Sequence, residues 1–240
     1  MRWQALYLAK DSNREDEYED AFAADAAAGR FALADGASES SFAGPWARLL
    51  VQEFIRLPLS GEASWTQWLP PLRLRWSNDF AGRVLPWYAE AKVQIGAFAT
   101  ILGLLVEQHS WQAIAIGDTC LFQIRGDRLV ESFPLTSADR FDSMPDLVGS
   151  CVPPAAALET RQRRGHGCLE SEDSLWLMTD ALAQWFLREV EAGTRPWIEI
   201  RSLLNHSYPE RTFVDWVGER RHAAAMRNDD VTLLAVQPTG

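Results

Sequence analysis

Four aspartates in this chain stand where an apolar run ends or begins. Phe31-Ala32-Leu33-Ala34 runs into Asp35-Gly36, and Trp111 to Ile116 runs into Gly117-Asp118. Leu175-Trp176-Leu177-Met178-Thr179 runs into Asp180, and Asn228-Asp229-Asp230 leads directly into Val231 to Val236. Each has an ordinary explanation alone: a turn at Asp35-Gly36, a hairpin at Gly117-Asp118, a helix cap at Asp180, a turn before a strand at Asp229-Asp230. Their joint occurrence points elsewhere. Strand ends can converge on one edge, and carboxylates gathered there repel one another and titrate upward unless a cation neutralises them. Oxygen-rich sites of this kind suit Mg²⁺ or Mn²⁺, hard ions that keep several waters.

Other chemistries find less support. The four histidines (His109, His166, His206, His222) are scattered, with no pair at i,i+4, which weakens a zinc-hydrolase reading. Three cysteines, Cys120, Cys151 and Cys168, show no CxxC spacing and no Cys-x5-Arg loop, so neither a disulfide framework nor a thiol phosphatase is expected. No GxxxxGKS loop or GxGxxG turn offers a nucleotide cradle.

The elements that must position these carboxylates are legible in the pattern. Trp3 to Leu8 alternates as a strand, and Ala21 to Ala24 with Phe31 to Ala34 reads as a hairpin about Gly29-Arg30. Phe42, Trp46, Leu49, Leu50 and Phe54 recur at helical spacing, with Ser40 or Ser41 as cap and Pro45 in the first turn. Ser64 to Tyr88 reads as helical, punctuated by Pro70-Pro71 and Pro86. Phe98 to Val106, Trp111 to Ile116 and Leu121 to Arg125 read as strands, the last turning at Gly126-Asp127 into Leu129 to Ser132. Ser137 to Pro154, with three prolines, reads as a loop. Strands are expected at Leu158 to Arg164 and Ser174 to Met178, and helices at Ala181 to Val190, Trp197 to Leu204 and Glu210 to Arg221. Val231 to Val236 reads as a buried closing strand. The irregular alternation disfavours a doubly wound parallel sheet. The expected fold is α+β: a sandwich of two mainly antiparallel β-sheets flanked by helices, in α-β-β-α layers.

At 240 residues and 47% hydrophobic content the chain can bury one sizeable core, and residues 1–240 are read as one catalytic domain. Eleven tryptophans favour a bulky layered interior with polar exits for the indole N–H groups. A formal net charge of -10 argues against nucleic acid, whose binders neutralise phosphates with Lys and Arg. No stretch approaches the roughly 20 apolar residues of a membrane span, and the start of the chain lacks an apolar signal run, so a cytoplasmic setting is expected.

At these residues the sequence resembles the metal-dependent protein phosphatase family, also called protein phosphatase 2C, from about Tyr18 to Val236. Tyr18-Glu19-Asp20-Ala21-Phe22 is similar to the family's opening acidic motif, and Ala34-Asp35-Gly36 to its metal-bridging Asp-Gly motif. Ile116-Gly117-Asp118-Thr119 resembles its Gly-Asp-Ser segment, Met178-Thr179-Asp180 its Ser-Asp-Gly segment, and Asp229-Asp230-Val231-Thr232 its closing Asp-Asn motif. Five ordered motifs are far more specific than any one. The resemblance implies hydrolysis of phosphoserine and phosphothreonine monoesters on proteins, opposing a serine/threonine kinase, with two Mg²⁺ or Mn²⁺ ions and a third, weaker metal position. Asp35 would bridge the two ions, joined on one of them by the Gly36 carbonyl and by Glu19. Asp180 and Asp229 would hold the other, Asp118 and Asp180 would flank the third, and Asp20 would accept a hydrogen bond behind the ligands. Asp35, Asp180 and Asp229 are the residues on which turnover would depend.

The sequence departs from the family pattern in three places. Asp35-Gly36 continues as Ala37-Ser38-Glu39 instead of more glycine, Ala181 follows Asp180 where the family has glycine, and the expected phosphate-gripping arginine falls on Glu15, with Arg14 one position away. These changes bear on substrate grip more than on metal binding. They leave open a catalytically weak, phosphatase-like binding module, and a hydrolase of small phosphoesters is a third reading. Ser137 to Pro154 falls where the family carries its variable flap, so it reads either as a substrate contact or as a long connection.

Overall fold

The computed structural model describes residues 1–13, 17–37, 40, 42–57, 64–80, 95–141 and 144–238. Among the described residues, twelve strands and six α-helices run in the order β1 (Arg2–Leu8), β2 (Ala21–Asp25), β3 (Arg30–Ala34), α1 (Ala43–Phe54), α2 (Trp65–Phe80), β4 (Phe98–Ala99), β5 (Ile101–Val106), β6 (Ser110–Ile116), β7 (Cys120–Arg125), β8 (Arg128–Phe133), β9 (Val148–Gly149), α3 (Ala155–Arg161), β10 (Arg163–Cys168), β11 (Asp173–Met178), α4 (Asp180–Glu191), α5 (Pro196–Leu204), α6 (Pro209–His222) and β12 (Val231–Gln237). One five-stranded sheet has the order β1-β12-β11-β7-β8, and a second has β10-β6-β5-β3-β2. Their pairings are antiparallel, and β4 with β9 forms a separate two-stranded ribbon.

Alternation along the strands explains the layering. On β3, Phe31 and Leu33 point into the core between the sheets, while Ala32 and Ala34 face the core shared with α1 and α2. On β12, Leu234 and Val236 enter the inter-sheet core, whereas Val231, Leu233 and Ala235 face α4, α5 and α6. On β11, Leu175 and Leu177 face inward between the sheets, and Trp176 and Met178 face the helices. Strands buried on both faces read as continuous apolar runs. Each large side chain so buried contributes roughly 1.5–3 kcal/mol. The expected α-β-β-α sandwich is what forms.

The tryptophans divide between the layers as their polar tips require. Trp46 donates its indole N–H to the Val148 carbonyl at 2.8 Å, under α1. Trp197 donates to Asp127 at 2.8 Å on the opposite helix layer. Trp111, fully buried between the sheets, donates to Gln123 of the facing sheet at 2.8 Å.

Several local expectations are corrected. The strand expected over Leu158 to Arg164 is instead helix α3, with β10 starting only at Arg163. Three consecutive alanines before Leu158 are strong helix formers, and the apolar run there is too short to fix a period. Ser137 to Pro154 is not wholly loop: it carries a 3₁₀ turn at Ala138–Arg140 and strand β9. The strand expected over Phe98 to Val106 breaks at Thr100, whose N–H donates to the Asp35 carbonyl and whose hydroxyl accepts the Asp35 N–H. Helix α1 is entered through Phe42 in a left-handed conformation (φ 70°) with no side-chain cap, while Ser40 donates to the Ala37 carbonyl and accepts the Phe98 N–H. Helix α2 runs through Pro70-Pro71 to Phe80; the rest of the expected stretch to Tyr88 lies outside the described residues, as does Ser41.

Candidate metal centre

Asp35 leaves the end of β3 and is held by its own backbone. Its N–H and C=O both engage Thr100, Gly36 forms a bridge with Ala99, and the Ala37 N–H donates to the Phe98 carbonyl at 2.9 Å. Thr100 in turn shares a 2.6 Å hydrogen bond with Thr119, which follows Asp118. Gly36 is pinched: a Cβ there would lie 2.7 Å from the Glu19 carbonyl oxygen and 2.9 Å from the Ala43 Cβ. Gly117, at φ 99°, would place a Cβ 2.5 Å from Thr100, so the turn that presents Asp118 also demands glycine.

The opening acidic segment meets the closing strand here. Thr232 donates its hydroxyl to Asp20 at 2.6 Å. With that proton committed, the Tyr18 hydroxyl must donate to Thr232, giving a relay from Tyr18 through Thr232 to Asp20. The Thr232 N–H also donates to Thr179 at 2.9 Å, and the Thr179 N–H donates back to the Thr232 carbonyl. Asp180 thus follows a threonine locked to β12.

Electrostatics show which carboxylates gather. Burial pushes Asp35 well above the usual carboxylate range, and the charges of Asp20, Asp180, Asp118 and Asp229 push it further. Asp20, almost wholly buried, is raised by burial and then by Asp230 and Asp180, against the hydrogen bond from Thr232. Asp180 is raised by burial, opposed by Arg227, and raised again by Asp229. Asp20 Oδ1 and Asp180 Oδ1 are buried and accept no hydrogen bond among the described residues. Carboxylates that cannot all ionise, with two buried oxygens lacking donors, form a donor set suited to a hard divalent cation. The charge fits such an ion, although among the described residues no three His, Cys, Asp or Glu side chains already stand together as a metal cage.

Asp20, Asp118, Asp180 and Asp229 therefore all bring their charge to bear on Asp35. Glu19 is brought beside Gly36 by its backbone, while its carboxylate lies 3.8 Å from Lys10 Nζ. Arg14 lies outside the described residues.

Three residues that sequence reading did not single out shape the site. Asp230 accepts the Lys10 N–H at 2.8 Å on one oxygen and the Glu19 N–H at 2.6 Å on the other. Arg221, buried, donates to the Ala9 carbonyl, to Asp11 and to the Asp229 carbonyl, tying the loop before β12 to the segment after β1. Arg227 donates to Asp180 Oδ2. In the sequence Asp230 stood only as the second residue of the closing Asp229-Asp230 motif; nothing in the sequence marked Arg227.

A cavity of about 540 Å³ opens elsewhere, on the outer face of the second sheet, lined by Trp65, Trp68, Phe54, Arg164 and His166 among others and by no carboxylate. The acidic chemistry and this cavity are separate.

No protein-family model and no curated protein sequence matches the chain. Its likeness is to solved structures. A bacterial serine phosphatase superposes with a TM-score of 0.63 at 15% identity, covering 100% of this chain and 98% of that one. PppA, described as a key regulatory component of the T6SS in Pseudomonas aeruginosa, gives 0.61 at 18% identity, covering 98% and 96%. The catalytic domain of the serine/threonine protein phosphatase PstP, solved with two manganese ions, gives 0.57 at 16%, covering 98% and 96%. The chain has the fold of these phosphatases over essentially its whole length.

Proposed function

We propose that the chain is a metal-dependent phosphatase acting on phosphoserine and phosphothreonine monoesters of proteins. The supporting observation is that Asp20, Asp180, Asp118 and Asp229, from four other segments, all act on the Asp35 carboxyl, which burial raises well above the ordinary range and their charges raise further. In this reading Asp35, Glu19 and the Gly36 carbonyl would hold one Mg²⁺ or Mn²⁺, with Asp35 also serving a second. Asp180 and Asp229 would hold that second ion, and Asp118 with Asp180 would serve a third, weaker position. Two such ions would supply an activated water near neutral pH and offset charge on the phosphoryl oxygens. The chain's own part is to hold the carboxylates: Thr100 fixes Asp35, the Tyr18–Thr232 relay fixes Asp20, and Thr179 fixes the start of α4. The two-manganese PstP structure, which shares the fold, is consistent with this loading. We further infer that residues 1–240 act as one catalytic unit on a cytoplasmic phosphoprotein, opposing a serine/threonine kinase, without nucleic acid or membrane as partner.

A second reading, a phosphatase-like binding module with little turnover, draws on one observation. Arg227 already engages one oxygen of Asp180, a carboxylate that the first reading assigns to a metal.

Hydrolysis of a phosphothreonine peptide with Mn²⁺, with EDTA, and by Asp35→Asn separates the two. Activity that requires both metal and Asp35 is the expected result. Metal-independent turnover, or near-normal turnover by the folded variant, sinks the phosphatase reading as assigned. Well-folded protein that is inert with every metal and peptide shifts the conclusion to the binding module.

A further inference from the structure

We propose that Arg227 is a resident cation that competes with a divalent metal for Asp180, so that loading the site requires its guanidinium to turn away. The inference rests on the metal-dependent reading above and concerns what sets its metal affinity. Arg227 Nη2 donates to Asp180 Oδ2, a charge-assisted bond, while Asp180 Oδ1 stays buried without a donor among the described residues. Its charge is also drawn to Asp229 and Asp118. These three aspartates are the ones assigned to the Asp180-side metal positions. A dication held between Asp180 and Asp229 would stand close to the guanidinium, and the two cations would repel.

The surrounding loop directs where the response falls. The Ala225 and Met226 N–H groups both donate to the Arg220 carbonyl, Met226 is buried, and Arg221 holds the Asp229 carbonyl. The backbone on both sides of Arg227 is therefore fixed. Its side chain is 42% exposed, so the guanidinium has water to move into without unfolding the loop. Until it moves, it neutralises part of the repulsion that Asp180 feels from Asp229, which keeps the carboxylates together. A related contact recurs on the other side of the site, where Lys10 Nζ lies 3.8 Å from Glu19.

A merely orienting arginine would have the opposite sign: by holding Oδ2 it would aim Oδ1 at the metal, and its loss would weaken binding. The test is calorimetric titration of Mn²⁺ alone into the full chain and into R227Q and R227K, with melting of each in EDTA. Competition predicts that R227Q binds Mn²⁺ about tenfold or more tightly and that its metal-free form melts lower, with R227K between. Mn²⁺ bound only by R227Q is the strongest form of that result. Equal or weaker affinity in R227Q overturns the inference and leaves the metal reading standing. Cooperative melting of all three proteins with no Mn²⁺ bound by any overturns the metal reading itself, and this inference with it.

Discussion

The two oxygens of Asp230 each take one backbone N–H, from Lys10 and from Glu19, while its neighbour Asp229 turns toward the carboxylate cluster. An amide at position 230 would present one acceptor and one NH₂ group, so one of those N–H donors would meet another donor. Asp230→Asn is therefore expected to lower stability by about 1–3 kcal/mol, the cost of leaving a buried backbone group unpaired. Urea denaturation measures it, and an unchanged midpoint would show that the clamp contributes nothing. The cluster itself carries a pH dependence. Asp20 and Asp35 have carboxyls raised in the folded state by burial and by like charge, so the folded protein binds those protons more tightly than the unfolded chain. Metal-free stability should then fall as pH rises above about 4, the unfolded carboxylate value, and keep falling until the raised folded values are passed. Melting in EDTA across this range should show a shallower decline for Asp20→Asn than for the parent chain. Parallel curves would remove Asp20 from the account. Asp35, Asp118, Asp180 and Asp229 were legible because each stands where an apolar run ends or begins, and Asp20 through the motif resemblance alone. Arg227 was not, because its role comes from a fold contact with Asp180, 47 residues away in sequence.

Elements, more than single residues, decide where these groups sit. Thr100 splits what would be one long strand into β4 and β5, and the break exists because Asp35 uses both of its backbone groups there. Gly36 allows α1 and the Glu19 backbone to close on that point. Gly36→Ala would drive a Cβ against the Glu19 carbonyl oxygen, with a cost of about 1–3 kcal/mol expected from overpacking. Because α1 and the acidic segment must part to admit it, Mn²⁺ affinity should fall together with the melting temperature. A stable variant with parental affinity would show that the pinch is incidental. Strands buried on both faces, such as β3, β11 and β12, announce themselves by unbroken apolar runs. Helix α3 and ribbon strand β9 did not, since short elements owe their form to what they rest on: Glu159 of α3 accepts from Ser64 and the Trp65 N–H, and β9 exists only as the partner of β4.

For the molecule as a whole, the three apolar layers set the frame and the carboxylates lie where the frame is least satisfied. A bound dication would relieve that local strain of charge, so ligand and stability are coupled by mass action. Adding Mn²⁺ to 100 times its dissociation constant should stabilise the chain by about 2.7 kcal/mol and EDTA should reverse it. Scanning calorimetry with and without the ion reads this directly. Identical melting in both would mean that the folded state does not bind the metal in preference to the unfolded chain.

Strand β1 pairs along its whole length with β12, from Arg2 opposite Gln237 to Leu8 opposite Val231, and Asp230 reaches back to Lys10 and Glu19. During synthesis this pairing has a consequence in time. The segment bearing Glu19 and Asp20 leaves the ribosome well before its partners Asp230 and Thr232, which follow 211 and 212 residues later. A nascent or prematurely stopped polypeptide would hold the early carboxylates without the strand that fixes them. The site is thus completed only once strand β12 has followed, and fragments released before then would carry the early acidic motifs without the assembled geometry.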